Sequence, residues 1–532
     1  MLPAPALAQT ALDRVDPSRV EERAQPTETD AAPETPPPTQ AAATPAVGGN
    51  AIRVGAIQLQ GLTEMSRAAF ADIIERYIGR TLQPTELAEL TDTLAKRART
   101  RLPFATARIE RQAMVGGVLT VTIDEGRIDE VRVEGVRNRA IDAALAPLAN
   151  GAPVRLDALE RRLLLAGDID GVTIGKSRVV REDDRNVLVV TADFQHVTAQ
   201  LTLDNDSTKP LGPLELFGTL QVNGLVADDD SLQFFALDTV PHFSELAFAR
   251  IRYGKRIAPN GAELAISASY SHSAPGAYLE RFDIKGESWF ASVSALQPLF
   301  RRKAASLWLE GSLGYRAVDQ WRADRLIRQD RMTVARAGIY GYGSVLGGAL
   351  RISSTLSQGL ALFGATELGD PLASRLDADG TFTVVNMFAD WTHALAGPVG
   401  IKLAVRSQLA SQPLLIAEEV GLGGAAFIRG YDYSERSGDR GTMASGELRY
   451  DWGGTFGPAR DAQLYAFVDG GRVDNLRGGF GSGALFSTGG GVRADVDPRT
   501  DAALEVALPL SGARYDTGNG EPKLRVSLTR YF

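Results

Sequence analysis

Residues 262–270 read AELAISASY, and apolar and polar side chains alternate along this stretch. The even-numbered positions from Leu264 to Tyr270 carry leucine, isoleucine, alanine and tyrosine, whereas the odd-numbered positions carry glutamate, alanine and serine. Successive side chains of an extended chain point to opposite faces, so this period of two predicts a β-strand with one apolar and one polar face.

The same alternation recurs along residues 306–316 and along the last ten residues, KLRVSLTRYF at 523–532. From about Thr198 onward the chain contains sixteen such segments and no helical periodicity. The predicted strands begin near residues 198, 214, 231, 244, 262, 283, 305, 328, 347, 380, 399, 442, 462, 484, 502 and 523. A soluble β-sandwich also alternates in this way, so alternation by itself does not distinguish a sandwich from a barrel.

The connections between the predicted strands do distinguish these two folds. Connections after even-numbered strands are short, for example Lys255–Gly261, Ala394–Pro398 and Asp497–Asp501. Connections after odd-numbered strands include the long segments Gln358–Asp379, Gln412–Gly441, Gly470–Gly483 and Pro509–Pro522. Short turns at one end, long loops at the other and an even number of strands are typical of outer-membrane barrels. Residues 197–532 are therefore predicted to form a transmembrane β-barrel.

Residues 51–196 repeat the order strand, helix, helix, strand, strand. The first strand of each copy ends in a similar motif, IQLQG at Gly61 and VRVEG at Gly135, 74 residues apart. The predicted elements are Ile52–Leu59, helices around Phe70–Tyr77 and Leu87–Ala98, Ala105–Arg111 and Val118–Ile123, followed by Ile128–Val133, Arg139–Leu148, Leu156–Leu165, Thr173–Arg181 and Val187–Asp193. We predict two tandem α+β domains, at 51–126 and 127–196, with one larger α+β domain as the alternative.

The first fifty residues differ in composition from the rest of the chain. Ala6-Leu7-Ala8 is similar to the end of a secretory signal, with a flexible Ala/Pro-rich terminus as the alternative. Leu12–Ala24 predicts a short helix of mixed charge, so residues 1–24 are assigned to a signal remnant and an N-terminal helix. Residues 25–50 are rich in Pro, Thr, Ala and Glu, which predicts an extended linker.

The composition argues against several functions. A formal net charge of −8 and a pI near 5.4 disfavour a nucleic-acid partner, which requires a basic face. The chain has no cysteine, its four histidines lack ligand spacing, and no G-x-S-x-G or H-E-x-x-H motif occurs. We therefore expect no metal, no cofactor and no enzymatic site. Asp228–Asp230 fall in a predicted short turn, where we expect a solvated acidic tip rather than a calcium site.

The longest predicted loop contains GLGGAAFIRGYDYSERSGDRG from Gly421 to Gly441, and a later strand contains FVDGG from Phe467 to Gly471. Asp469 falls on the polar face of that strand, which must face the lumen because a carboxylate on the lipid face is strongly disfavoured. Arg429, at the tip of a loop folded into the lumen, can offer Asp469 a bidentate and partly hydrated pair. Gly430 allows the close approach to the wall that such a tip requires.

These motifs closely resemble those of the outer-membrane transporters of two-partner secretion, the hemolysin and filamentous-haemagglutinin exporter family. That family belongs to the superfamily that combines POTRA domains with a sixteen-stranded barrel. The resemblance covers residues from about Ile52 to Phe532. Its matching elements are Gly423-Gly424, Ile428-Arg429-Gly430-Tyr431, Gly438-Asp439-Arg440-Gly441, Glu447 at the start of the next strand, the stretch from Phe467 to Gly471, and the terminal Phe532.

The resemblance implies roles for these residues. Arg429 and Asp469 pair in the family, so we expect them to form a loop–barrel lock. The further members of this lock are Gly430, Tyr431 and Gly471. The residues expected to support the loop are Gly423, Gly424, Asp439 and Glu447. Phe532 is expected to be the terminal signal for barrel assembly, and the helix Leu12–Ala24 is expected to plug the pore at rest.

The resemblance also implies a function. The POTRA domains are expected to bind a secreted exoprotein with an N-terminal secretion domain in the periplasm, and the barrel is expected to export it unfolded to the cell surface. Outer-membrane lipid and the barrel-assembly machinery are expected as further partners. The alternatives are an assembly insertase, which usually carries more POTRA domains, a diffusion porin whose periplasmic arm is structural, and a soluble adhesin.

Overall fold

The computed structural model describes residues 51–109, 116–183, 185–454 and 460–532, together with Ser18 and Thr39–Gln40. Apart from these three residues, the predicted helix Leu12–Ala24 and the predicted linker 25–50 lie outside the described part of the chain. Thr39–Gln40 forms a two-residue strand that pairs in parallel with Arg178 and Val179.

The first α+β unit has one core, formed where two helices cover a small sheet. Its regular elements are Ile52–Arg53, Ala56–Gln60, Ala71–Glu75, Thr81–Leu82, Pro84–Arg99, Thr106–Arg108 and Val118–Asp124. The long helix Pro84–Arg99 begins with a capping box formed by Gln83 and Glu86 and places Leu87, Leu90 and Leu94 in the core. Three- and four-residue spacing of these leucines is what fixes the buried face of the helix.

The prediction of one continuous strand over Ile52–Leu59 was wrong, because the chain changes partners at Val54. The Val54 N–H donates to the Arg80 carbonyl at 2.9 Å, and the Val54 carbonyl accepts from the Gly79 N–H at 2.7 Å. Beyond that point Ala56–Gln60 pairs in parallel with the strand that begins at Val118. Two short strands in two sheets replace the single predicted strand.

The second α+β unit repeats this order. Its regular elements are Glu130–Glu134, Arg139–Leu145, Leu156–Gly167, Val172–Glu182 and Arg185–Phe194, with a 3-10 turn at Ala146–Leu148. The strand Arg185–Phe194 is central, since it pairs in parallel with Glu130–Glu134 and antiparallel with Val172–Glu182. A separate hydrophobic core lies under its two helices.

Sixteen antiparallel strands close into a barrel. In chain order β1–β16 are Val197–Asp204, Leu214–Asn223, Asp230–Val240, Leu246–Arg256, Glu263–Ser273, Ile284–Arg301, Ala305–Arg322, Arg325–Val345, Gly348–Leu360, Thr383–Ala396, Val399–Ala410, Arg440–Trp452, Arg460–Asp474, Gly483–Asp497, Thr500–Pro509 and Lys523–Tyr531. The predicted fold is confirmed, and the largest errors in strand start are three residues, at Arg325 and Thr383. Pairing of β16 with β1 completes the closure.

The two faces of the barrel wall differ as the alternation predicts. On β5 Leu264 and Ile266 point outward and are 45% and 61% exposed, while Ser269 and Ser271 point inward and are buried. On β16 the outward residues are Leu524, Val526 and Leu528. An outer apolar surface around a polar interior is the arrangement that a bilayer selects. Among the described residues, no helix is both long enough and apolar enough to cross a membrane.

The short turns of the barrel lie against the second α+β unit. Arg301 at the end of β6 donates to the Asp168 carboxylate from Nε at 2.8 Å and from Nη2 at 2.6 Å. Its guanidinium also lies over the Trp308 ring, with 5.0 Å between guanidinium carbon and ring centroid. Because the Arg301 side chain is only 2% exposed, this bidentate pair fixes the unit beneath one end of the barrel.

The expectation of a solvated acidic tip at Asp228–Asp230 was wrong. The turn that contains Asp228 contacts the second α+β unit, where the Asp228 carboxylate accepts from the Arg139 N–H at 2.9 Å. Asp230 is 1% exposed and accepts from the N–H groups of the same turn, including that of Leu225 at 2.7 Å. These carboxylates stabilise a docked turn.

Candidate functional site in the barrel lumen

The loop that joins β11 to β12, residues 411–439, folds into the barrel. Its two limbs pair as a short hairpin, Val420–Leu422 with Arg436–Gly438, and the segment between them forms the loop tip. Ile428 and Tyr431 in that tip are fully buried, and they belong to a hydrophobic cluster that includes Met443 of β12 and Leu485 of β14. Burial of these apolar side chains against the inner wall holds the tip inside the lumen.

Arg429 and Asp469 make a bidentate contact. Arg429 Nε lies 3.0 Å from Asp469 Oδ2, and Arg429 Nη2 lies 3.0 Å from Asp469 Oδ1. The backbone N–H of Arg429 also donates to Asp469 Oδ2 at 3.0 Å. Asp469 lies on β13 opposite Ser445 of β12 and Ser487 of β14, so its inward direction follows from strand register.

The remaining donors of Arg429 reach two further strands. Arg429 Nη1 lies 2.9 Å from Glu447 Oε2 on β12 and 3.5 Å from Glu505 Oε2 on β15, and Nη2 donates to Ser445 Oγ at 3.1 Å. The guanidinium carbon lies 3.4 Å from the centroid of the Phe467 ring. A single side chain therefore joins the loop tip to three strands of the wall.

The pair is more deeply buried than the partly hydrated pair that we expected. The side chains of Arg429 and Asp469 are 7% and 0% exposed. The hydrophobic cluster that contains Ile428, the residue before Arg429, and Leu485 of β14 buries this part of the loop. Removal of one partner from a buried ion pair leaves the other charge uncompensated, at a cost of about 3–5 kcal/mol.

Two glycines allow the tip to reach the wall. A Cβ on Gly430 would lie 2.8 Å from Ser487 Cβ and 2.9 Å from the carbonyl carbon of Leu508. A Cβ on Gly471 would lie 2.8 Å from Ile428 Cδ1. A larger residue at Gly430 must push the tip away from β14 and β15, and a larger residue at Gly471 must push it away from β13.

Tyr431 and the remaining glycines shape the tip. The Tyr431 hydroxyl accepts from the Ser511 N–H at 2.7 Å, so the fully buried phenol reaches the loop that joins β15 to β16. Gly423 and Gly424 have φ of 105° and 114°, which side-chain-bearing residues rarely adopt. A Cβ on Gly423 would also lie 2.1 Å from the Asp432 carbonyl oxygen.

Asp439, Glu447 and Phe532 occupy three different places. Asp439 is fully buried at the base of the loop, where its carboxylate accepts from the N–H groups of Leu414 and Leu476, each at 2.7 Å. Glu447 lies in the middle of β12 and not at its start, because β12 begins at Arg440. Phe532 follows β16, and its side chain is 66% exposed on the outside of the barrel.

Sequence reasoning missed two contributors to this site. Asp432 is 1% exposed and contacts Arg514 at 2.6 Å and Lys523 at 3.4 Å, which gives the tip a second ionic attachment. Glu505 accepts from the Tyr465 hydroxyl at 2.9 Å as well as from Arg429. A signal for Glu505 was available, because alternation along β15 places it on the inner face by the same argument that placed Asp469.

Comparison with known proteins identifies relatives of this chain. The family model described as haemolysin secretion/activation protein ShlB/FhaC/HecB matches residues 185–494. The heme/hemopexin transporter protein HuxB of Haemophilus influenzae strain 86-028NP is 22% identical over 389 residues, which cover 71% of this chain and 68% of HuxB. The outer membrane transporter CdiB of Escherichia coli is 25% identical over 437 residues, which cover 78% of this chain and 71% of CdiB.

A solved structure has the same fold. CdiB from Escherichia coli superimposes with a TM-score of 0.74 at 19% identity, covering 100% of this chain and 99% of that one. At this identity the likeness concerns the fold, so the barrel and its two preceding units are a shared architecture.

Proposed function

The chain belongs to the haemolysin secretion/activation protein family (ShlB/FhaC/HecB), and from this premise we propose that Arg429 and Asp469 form a loop–barrel lock that holds the conduit in its working conformation. The protein is an outer-membrane transporter that exports a partner protein, with its two α+β units, the POTRA domains, in the periplasm. Membership of this family favours export over the insertase and porin alternatives.

The observation that carries the proposed lock is the burial of Arg429 against three wall strands. The apolar cluster keeps the tip inside the lumen, and the guanidinium bonded to Asp469, Glu447 and Ser445 fixes its position against the wall. A fixed loop gives the cargo a path of defined shape. Because the lock lies within the lumen, the cargo passes it as an extended chain and not as a folded domain.

The docking of the second POTRA domain supports delivery of cargo to the barrel entrance. Arg301 and Asp168 join this domain to β6, and the Lys303 N–H donates to Glu160 Oε1 at 2.7 Å. The domain therefore stays next to the short turns at the periplasmic end. We assign capture of an exoprotein with an N-terminal secretion domain to the POTRA domains, which then release it into the lumen.

The outer surface supports two further partners. The exposed apolar residues of β5 and β16 suit contact with outer-membrane lipid. The exposed side chain of Phe532, at the end of β16, is accessible to the barrel-assembly machinery before insertion. Phe532→Ala is expected to lower the amount of folded barrel in the membrane, which is measured by its heat-modifiable migration.

Secretion of the partner tests the lock. Cells that express this chain with a secreted protein carrying an N-terminal secretion domain should release that protein, and Arg429→Ala should lower the released amount at least tenfold. Arg472→Ala is the matched control, since Arg472 lies on β13, is 69% exposed and pairs only with its neighbour Asp474 among the described contacts. Wild-type release by a folded Arg429→Ala protein would disprove the lock.

A further inference from the structure

We propose that Arg375 clasps three surface loops into one lid over the extracellular mouth of the barrel, and that exit of the cargo requires displacement of this lid. The three loops are residues 361–382, 411–439 and 475–482, and they join β9 to β10, β11 to β12 and β13 to β14. All three lie at the end opposite to the POTRA domains. This inference rests on the proposed export function and assigns a positioning residue within it.

Part of the inner wall beneath these loops is apolar. Met332 and Val334 lie on the inward face of β8 and are 0% and 3% exposed, and Val384 on the inward face of β10 is 1% exposed. An apolar patch on the wall of a water-filled channel is unfavourable unless other apolar groups cover it. The side chains that complete this cluster come from the loops and strand ends and are Ala373, Ala378, Phe382, Ala410, Leu414 and Leu415.

The loops therefore pack inside the mouth. A further contact fixes their position, because Arg336, on the same face of β8 as Met332 and Val334, donates to Glu418 Oε1 at 2.6 Å. Within this packing Ser374 N–H donates to Asp330 Oδ1 at 2.9 Å, which attaches the 361–382 loop directly to β8. The lid is thus seated on one side of the wall.

Arg375 stands at the centre of this lid. Its Nη1 atom lies 2.7 Å from Asp439 Oδ1 and 2.9 Å from Glu419 Oε1, both in the 411–439 loop. The same Nη1 donates to Asn475 Oδ1 at 3.1 Å, and Nη2 donates to the Leu476 carbonyl at 3.1 Å, both in the 475–482 loop. One guanidinium in the 361–382 loop therefore bonds to both of the other loops.

The clasp is buried, so removal of its central cation is expected to be costly. The side chains of Arg375, Glu419 and Asp439 are 4%, 2% and 0% exposed. Without Arg375, two buried carboxylates lose their shared cation and repel each other. Lysine cannot substitute, because a single ammonium lacks the planar set of donors that reaches both loops at once.

The clasp is separate from the lock. All contacts of Arg375 given above are to loop residues, whereas Arg429 contacts the wall strands β12, β13 and β15. Loss of Arg375 should therefore separate the three loops from one another, while the loop tip stays anchored in the lumen and the apolar cluster still holds the 361–382 loop on the wall.

Conductance of the purified protein in planar lipid bilayers tests the clasp. We expect Arg375→Met to raise the mean conductance at least threefold and Arg375→Lys to raise it nearly as much, since lysine cannot bridge the loops. Arg472→Met is the matched control and should conduct as wild type does. Wild-type conductance of folded Arg375→Met would overturn the proposal.

A cross-link tests the need for displacement without removing Arg375. The chain has no cysteine, and the Gly478 N–H donates to Asp377 Oδ2 at 3.1 Å, so Asp377→Cys with Gly478→Cys places two thiols across adjacent loops. Asp377 also accepts from Arg375 Nη2 at 3.2 Å, so secretion is compared within each variant before and after a short thiol cross-linker that cannot cross membranes is added to the cells. The cross-linker should stop secretion by the double variant and should change secretion by neither single variant. Continued secretion by the cross-linked protein would overturn the proposal.

These outcomes are distinguishable from failure of the export function. If the unmodified chain releases no partner protein, export is disproved while the conductance comparison still tests the clasp. If Arg375→Met does not fold, judged by its heat-modifiable migration, the cross-linking comparison decides by itself.

Discussion

Two buried arginines hold the same loop, and they differ in what they attach it to. Arg429 bonds to Asp469, Glu447 and Glu505, which all lie on barrel strands. Arg375 bonds to Glu419 and Asp439, which lie in the loop itself. The first arginine fixes the loop relative to the wall, and the second fixes loops relative to one another. The proposed lid could therefore open while the loop tip stays anchored.

The largest effect is expected where the wall attachment loses its carboxylate. Asp469→Ala leaves the Arg429 guanidinium buried without its bidentate partner, and we expect a loss of about 3–5 kcal/mol in stability. The folded barrel migrates faster in electrophoresis than the unfolded chain, and the temperature at which this fast migration is lost should fall. Trypsin should also cleave the loop at Arg429. An unchanged transition temperature together with a resistant loop would mean that the wall attachment does not hold the tip.

A steric change tests the same attachment without altering charge. Gly471→Leu places side-chain atoms where Ile428 and Met443 already lie, because even a Cβ there would be 2.8 and 2.9 Å from them. Overpacking of this kind costs about 1–3 kcal/mol and should displace the tip, so secretion should fall. Gly311→Leu is the matched control, since a Cβ at Gly311 on β7 meets no atom within 4 Å. Equal secretion by both variants would show that close packing at Gly471 is dispensable.

A third buried charge, that of Glu125, sharpens the comparison because hydrogen bonds from backbone N–H groups hold it. Glu125 in the first POTRA domain is 3% exposed and accepts from the N–H groups of Thr63, Glu64 and Met65, each at 2.9 Å, and from the Thr63 hydroxyl. Burial raises the pKa of Glu125, but these donors outweigh it and hold the pKa below its ordinary value of 4.5. The stability that they contribute is complete above that value and is lost as pH falls through the lowered pKa.

Hydrogen exchange of the amides at residues 63–65 measures this dependence in the full chain. In wild type the protection of these amides should fall as the pH drops below about 4.5. In Glu125→Gln the free energy of protection at neutral pH should be lower by about 1–3 kcal/mol, and it should depend less on pH. Parallel pH profiles in the two proteins would show that the Glu125 carboxylate does not hold this turn.

The smallest effect is expected at an exposed ion pair. Arg472→Ala removes the ion pair with Asp474. The side chains of Arg472 and Asp474 are 69% and 51% exposed, so water and salt already screen this pair. Secretion, conductance and transition temperature should all remain at wild-type values. A clear loss in any of them would show that an exposed arginine also matters. Burial would then not explain the effects expected at Arg429 and Arg375.

Much of the barrel could be predicted because strand alternation is a local property. The pattern of Leu264 and Ile266 against Ser267 and Ser269 requires only that neighbouring side chains point to opposite faces. The same rule assigned Asp469 to the lumen. The break at Val54 could not be predicted in this way, because hydrogen bonds to Gly79 and Arg80, and not any feature of the strand itself, end the pairing there.

The sequence by itself therefore determined the strands, their faces, the two repeated units ahead of them and the loop motif around Arg429. The tertiary structure alone decided which charges meet. Arg375 lies in a loop without periodicity, and its partners Glu419, Asp439 and Asn475 are 44, 64 and 100 positions away. The physical reason is that side-chain alternation acts over neighbouring residues, whereas closure of a barrel brings distant loops to one mouth.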